Sequence, residues 1–447
     1  MEYESIINIL APLLRGLTFD GEKGKIIFFT DNPERIDFLV KPKNYNRLMT
    51  QKIDFSPLYL DDIGDIKDIQ NKDQENKIVI KTIERFKEYI TKYKKEPPAV
   101  ILKNIGLFFL GNTYDECIIT RRDYPEYLKA ILISFDFPAK GNLIGEKKSL
   151  WQKNIQSFQK IPEAISKEKK DRNKVVKNKI AVVTGGAQGF GESIVRGLTE
   201  FGSLVFIADL NFKGASALAK ELNSYYRRTT ALPIKVDVSD EKSVSLLVSK
   251  VIKMAGGIDI FISNAGVLRA GSIKEMDREI FNLVTKVNYF GYFLCTKYVS
   301  KIMAFQNRPN KKYYTDIIQI NSKSGLAGSN KNSAYAGSKF GGIGLTQSFA
   351  LELVQDNIKV NSICPGNFFE GPLWSDPKAG LFVQYLKTKK VPQAQTVEEV
   401  KKYYESQVPM QRGCTGQDVM KAIFYIIEQK YETGQAIPVT GGQIMLK

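Results

Sequence analysis

From residue 180 onward, short apolar, β-branched runs alternate with amphipathic stretches. The runs predict strands at 180–184, 204–208, 233–238, 258–263, 317–321, 359–364 and 437–439. Helices fall between most of them, with 280–305 and 333–354 the most apolar. Such alternation predicts an α/β fold: a doubly wound, Rossmann-like parallel sheet of about seven strands, covered on both faces. Before it, 25–29 reads as a buried strand and 79–93 as an amphipathic helix, from Val79, Ile83, Phe86 and Ile90. Residues 99–102 and 107–110 read as paired strands around a turn at 103–106. A smaller α/β domain is therefore expected over 1–145, a linker over 146–179, and the doubly wound domain over 180–447.

Charge sharpens the linker. The chain of 447 residues carries a net +17, distributed as +1 over 1–150, +6 over 151–179 and +10 over the remainder. Residues 146–179 are lysine-rich and broken by Pro162, with a short helix predicted around 151–159. A basic surface suits nucleic acid, an anionic membrane or a phosphorylated small molecule. With no recognisable zinc-finger, RNP or helix-turn-helix pattern, nucleic acid is not an expected partner. No apolar run is long enough to span a membrane. The apolar stretch 6–14 follows acidic residues and contains Pro12, so it does not read as a signal peptide.

The chain contains no histidine. Ser-His-Asp hydrolysis, HExxH zinc chemistry and histidine general-base catalysis are excluded. Its four cysteines lack CxxC spacing, and read as free thiols in a reducing cytoplasm. No metal site is expected.

The strand ending at Thr184 runs into Gly185-Gly186-Ala187-Gln188-Gly189-Phe190-Gly191. Glycines after a strand and opening a helix let backbone approach a pyrophosphate, while the helix N-terminus faces that anion. Gly185, Gln188, Gly189, Phe190 and Gly191 are therefore candidate dinucleotide contacts. Asp209 ends the next strand, where a carboxylate accepts from a ribose 2′-hydroxyl and repels a 2′-phosphate. NAD is expected over NADP. Tyr335 and Lys339 lie four apart on a predicted helix and share a face. A neighbouring ammonium lowers a phenol's pKa, making an acid–base catalyst without histidine. Ser322, at a strand's carboxyl end, is placed to bond a carbonyl or alkoxide oxygen. Asn264 and Gly266 end another strand and can line the cofactor crevice. Asn288, a polar amide within an apolar helix, needs a partner, which a water leading to Lys339 would supply.

Together, the TGGAQGFG loop at 184–191, Asp237-Val238, SNAG at 263–266, Asn288, Ser322, YAGSK at 335–339 and Pro365-Gly366 resemble the short-chain dehydrogenase/reductase family. The resemblance implies a catalytic tetrad of Asn288, Ser322, Tyr335 and Lys339. It also places Asp237 and Val238 at adenine and Asn264, Ala265 and Gly266 beside the nucleotide. Tyr335, Lys339, Pro365 and Gly366 are further cofactor contacts on this reading. Stretches 287–295, 317–353, 408–414 and 433–445 are similar to the sorbitol-6-phosphate 2-dehydrogenases within that family. This implies hydride transfer at C2 between sorbitol 6-phosphate and fructose 6-phosphate, in a homo-oligomer of two or four copies. Lys323, Lys331 and Arg412 are candidate phosphate ligands, and 368–390 a substrate lid. A lactaldehyde-type or other polyol dehydrogenase, or a non-catalytic NAD-binding regulator, are the alternatives. Residues 99–117 resemble a piece of the class II aldolase/adducin fold, with Ile105 where many such aldolases carry a zinc-binding histidine. A shortened, structural remnant is implied.

Overall fold

The computed structural model describes residues 3–49, 53–63, 69, 71–159, 175–378, 380–387 and 389–445. Two sheets organise them. The first has the order β1-β4-β3-β2, formed by β1 (Ile26–Thr30), β2 (Leu58–Tyr59), β3 (Ala99–Leu102) and β4 (Gly106–Gly111). β3 and β4 make the expected antiparallel hairpin, with Asn104 at φ 63° in its turn. Its helices are α1 (Glu4–Leu17), α2 (Pro33–Val40), α3 (Pro42–Met49), α4 (Lys72–Tyr93), α5 (Tyr114–Asp136) and α6 (Asn142–Gln159). α6 extends the helix expected around 151–159. Trp151 anchors it, packed among Phe55, Tyr124 and Tyr127. The predicted linker is thus helical as far as Gln159, and residues 160–174 lie outside the described ones.

The second sheet has seven parallel strands: β5 (Ile180–Thr184), β6 (Leu204–Asp209), β7 (Ala231–Lys235), β8 (Ile260–Ser263), β9 (Thr315–Ile320), β10 (Ile358–Pro365) and β11 (Ala436–Val439). Their order is β11-β10-β9-β8-β5-β6-β7, every pairing parallel. The order reverses beside β5, so ligands are received at the strand ends there. β7 begins and ends earlier than expected. Asp237 and Val238 follow it in a turn, and Pro233 is tolerated because β7 is an edge strand. The helices are α7 (Gly189–Glu200), α8 (Phe212–Tyr226), α9 (Glu241–Ala255), α10 (Arg278–Thr285), α11 (Gly291–Asn307), α12 (Ser333–Leu353), α13 (Pro372–Ser375), α14 (Leu381–Lys387), α15 (Val397–Ser406) and α16 (Gly416–Glu428). The helix expected over 280–305 is broken by a π-helical turn, Lys286–Phe290, between α10 and α11.

Each sheet has a buried cluster of its own, and a third cluster is shared between them. Ile6, Leu10, Leu13 and Leu14 of α1, with Ile26 and Ile27 of β1, join one buried cluster with Val244, Val248 and Ile252 of α9 and Val299 of α11. Arg15 seals the junction. It is fully buried and ion-paired with Asp259 at 2.5 Å, and it donates to the carbonyls of Gly24, Lys25 and Asn178. Asp259 also accepts from the Ile180 amide at 2.6 Å, from Gln306 at 2.8 Å and from the Tyr313 hydroxyl. A buried charge is tolerated only with partners of this kind.

Candidate active site

Close packing shapes the loop after β5. A β-carbon at Gly191 would fall 2.0 Å from the Gly185 carbonyl oxygen, and one at Gly185 2.9 Å from Ala265 Cα. Gly185 and Gly189 both sit at φ +62°, which glycine adopts without strain. The loop is tied to the end of β8. The Asn264 side chain donates to the Thr184 and Gly185 carbonyls at 3.0 and 2.9 Å. The Thr184 hydroxyl accepts from the Asn264 and Ala265 amides. Gly266 lies beside the Asn288 amide. Asp209 accepts from the Ala187 amide at 2.9 Å and the Asn211 amide at 2.8 Å, so its carboxylate faces the glycine loop. Asp237 caps its own turn through Ser239, and Val238 is buried against Gly291. Gln188 is the N-cap of α7, and Phe190 stacks on Phe368 with ring centres 4.4 Å apart. This cradle, with bare backbone where a phosphate approaches and an acid at the end of β6, fits a dinucleotide.

Ser322 follows β9, and its hydroxyl accepts the Ser324 amide at 3.1 Å. It also lies beside the Tyr335 phenol. Burial raises the Tyr335 phenol above its ordinary value, and the Ser322 hydroxyl opposes part of that rise. The expected depression of Tyr335 by Lys339 is not what the structure contains. The Lys339 ammonium donates to the Ile320 carbonyl at 2.9 Å and stands 5.6 Å from the centre of the Tyr335 ring. Burial pulls Lys339 down to about 8, with the Cys364 thiol acting in the other direction. Pro365 ends β10 immediately after Cys364, and Gly366 follows it.

Asn288 sits in the π-turn, but its side chain needs no water. Its amide oxygen accepts from the Val267 amide at 2.8 Å, and its nitrogen donates to the Val267 carbonyl and the Ser338 hydroxyl. The expected water contact through this amide is therefore corrected: the side chain ties α10–α11 to the end of β8. Ser338, which shares that bond, was not foreseen.

The three candidate phosphate ligands separate. Lys323 lies next to Ser322, and Lys331 lies in the loop entering α12. Arg412 does not join them. It makes a bidentate pair with Asp418 at 2.7 and 3.1 Å and lines a cavity of about 370 Å³ with Gly366, Cys414 and Thr440. Its fork is spent on a carboxylate. The 368–390 segment is built around a core of its own, with Phe369, Trp374, Phe382, Tyr385 and Val391 packing together with Leu268.

A glycine cradle at a sheet's switch point, with serine, tyrosine and lysine gathered at the neighbouring strand ends, defines a nicotinamide-dependent oxidoreductase. The model of the short chain dehydrogenase family matches residues 179–373. Sorbitol-6-phosphate 2-dehydrogenase of Escherichia coli is 37% identical over 270 residues, covering 60% of this chain and 99% of that protein. The crystal structure of sorbitol-6-phosphate 2-dehydrogenase from Erwinia amylovora matches with a TM-score of 0.55 and 41% identity, over 60% of this chain and all of that one. This chain belongs to the short-chain dehydrogenase family and is a dehydrogenase. A relative that also spans the first domain is the uncharacterized oxidoreductase YuxG of Bacillus subtilis. It is 24% identical over 98% of this chain, which covers 64% of that protein's length.

Proposed function

We propose that the chain is an NAD-dependent dehydrogenase that interconverts sorbitol 6-phosphate and fructose 6-phosphate. The observation that carries the reading is the pairing of Ser322 and Tyr335 at the strand ends, with Lys323 directly beside them. The likeness to two sorbitol-6-phosphate 2-dehydrogenases supports the same substrate. Asp209, aimed at the glycine loop, favours an unphosphorylated ribose and hence NAD.

On this reading NAD, when held by the glycine loop and Asp209, would supply the hydride acceptor or donor for C2. The chain's residues manage the proton. Ser322 orients the C2 oxygen, and Tyr335 Oη removes the C2 hydroxyl proton in oxidation or returns it in reduction. Lys339, bonded to the Ile320 carbonyl, would hold the nucleotide's ribose. Asn288 ties the π-turn to the end of β8 and to Ser338, and so positions these elements. General acid–base catalysis of this kind contributes about 10²–10⁴-fold.

Phe281, Phe290 and Phe293 of α10–α11 and Phe340 and Leu351 of α12 are exposed, which favours a second copy on this face and a dimer or tetramer. Among the described residues, no helix is long and apolar enough to cross a membrane. We place the protein in the cytoplasm and assign the first domain a structural role. The test is steady-state reduction of NAD and NADP with sorbitol 6-phosphate, sorbitol and lactaldehyde. Efficient turnover of the phosphorylated polyol with NAD supports the reading. Preference for lactaldehyde overturns it.

A further inference from the structure

Three lysines from different segments lie within electrostatic reach of one another, and one of them adjoins Ser322. Lys323 sits in the turn after β9, beside Ser322. Lys331 precedes α12 by two residues, at φ 59°, its carbonyl held by the Gly271 amide at 2.8 Å. Lys390 closes the lid segment, its amide bonded to the Tyr385 carbonyl and its ammonium 4.0 Å from the centre of the Tyr385 ring. Among the described residues, none of the three has an acidic partner within ion-pairing distance. Burial holds Lys323 and Lys390 below the ordinary lysine range, and Lys331 and Lys323 depress Lys390 further. Like charges brought together without a counter-ion raise the free energy of the closed site, and a dianion relieves it.

A second feature points to a ligand. Asn332, next to Lys331, is only 6% exposed, and its side-chain oxygen has no hydrogen-bond partner. Its nitrogen donates to Ser329 and faces the Tyr385 hydroxyl, opposing the rise that burial gives that phenol. A buried acceptor left open beside cations suits a hydroxyl donor, which a polyol supplies.

We propose that Lys390 is a specificity-determining residue, completing with Lys323 and Lys331 a clamp for the phosphoryl group of the substrate. This rests on the sugar-phosphate reading above and adds the residue that ties it to the lid. Tyr385 and Val391, on either side of Lys390, belong to the apolar core of the lid. The opposite end of that segment reaches the glycine loop through the Phe368–Phe190 stack, and Pro372 is the nearest neighbour of Gly189. An anion on Lys390 therefore draws in the same unit that covers the dinucleotide cradle. A free polyol lacks that anchor.

The test compares wild type, Lys390→Gln and Lys390→Arg in two assays. The first is the ratio of kcat/KM for sorbitol 6-phosphate to that for sorbitol. The second is competitive inhibition by inorganic phosphate, with sodium chloride matched for ionic strength. Lys390→Gln is expected to lower the ratio by about 10- to 100-fold and to weaken phosphate inhibition in proportion, the loss of one charge-assisted bond. Lys390→Arg is expected to restore both. A wild type that prefers phosphorylated substrate by a ratio Lys390→Gln leaves intact overturns the clamp and spares the substrate reading. A wild type with no such preference overturns the substrate reading. The clamp is then judged by inorganic phosphate alone, and inhibition equal in Lys390→Gln and wild type refutes it.

Discussion

Replacing Arg15 by methionine tests whether the first domain is part of the dehydrogenase's own core. The arginine is wholly buried, and its pair Asp259 is 1% exposed. Methionine fills much of the space but removes every donor. Asp259 keeps the Ile180 amide, Gln306 and Tyr313, while the Gly24, Lys25 and Asn178 carbonyls lose a partner. Removing one member of a buried pair costs about 3–5 kcal/mol. The donors left to Asp259 place the expected loss near the lower figure, about 3 kcal/mol. Urea unfolding is followed by Trp151 fluorescence in a Trp374→Phe background, which reports the first domain, and by residual activity, which reports the second. Both midpoints are expected to fall together. The cycle with Asp259→Asn is expected to show a coupling of about 2 kcal/mol, within the range of contacting pairs. The effect also carries a pH signature. Burial alone would raise the Asp259 carboxyl, but Arg15 and Lys179 overturn that and hold it below the ordinary carboxylate value. A depressed carboxylate stabilises the fold above its unfolded pKa, and that contribution disappears as pH falls through the folded value. Without Arg15 less opposes the effect of burial, and the gap between wild type and variant is expected to narrow as pH falls through about 4. A shift of the Trp151 transition alone, with the activity midpoint unmoved, refutes the shared core.

Tyr335→Phe is expected to lower kcat by about 10²–10⁴-fold in both directions, measured by nicotinamide absorbance. Because burial raises the Tyr335 phenol, polyol oxidation in the wild type is expected to climb with pH into the alkaline range. Ser322→Ala removes the hydroxyl that lowers that phenol, and is expected to move the climb to higher pH while cutting kcat by about 10²–10³-fold. Lys339→Met is expected to abolish turnover yet raise the thermal midpoint at neutral pH, since it removes a charge that burial disfavours. The Lys339 folded value of about 8 lies below the unfolded value near ~10.4. The unfolded chain binds more protons between them, and wild-type stability is expected to rise over that window. The variant is expected to lose that rise. Asp209→Ala is expected to reduce the NAD-over-NADP preference in kcat/KM by about tenfold or more, through lost ribose contacts and a loosened Ala187 amide.

All seven strands of the second sheet were legible because each is a short β-branched run with a turn or helix signal after it. β5 matches residue for residue, and β7 slips because Val236 and Val238 extend its apolar pattern past the last ladder pair at Lys235. The glycine loop and the Ser322–Tyr335 pairing were legible from local spacing and strand-end position. What escaped was non-local. The helix α1 hides in a stretch interrupted by Pro12, and the one signal of its burial was a lone arginine among leucines and isoleucines. Nothing within the sequence near Asn288 shows that its amide would meet the Val267 backbone instead of water. Arg412 was misplaced for a related reason. Its partner Asp418 is six residues away and caps the following helix through Thr415, so the ion pair belongs to a helix start. Lys390 carried no local signal at all, because its neighbours come from three separate segments.

The buried charges at the lower edge of the sheet bear on the chemistry at the upper edge. Asp259 immediately precedes β8, a strand of only four residues, and Asn264-Ala265-Gly266 immediately follows it. Asp259 also receives the Ile180 amide at the start of β5, the strand whose far end becomes the glycine loop. Arg15 therefore clamps the starts of the two strands whose ends are joined by Asn264 and Thr184 in the dinucleotide cradle. Short, fully paired strands transmit such a constraint because neither can slide without inverting its buried face. The first domain thus supplies Arg15, the counter-ion of the carboxylate that links the starts of β5 and β8, the two strands whose far ends carry the glycine loop and Asn264.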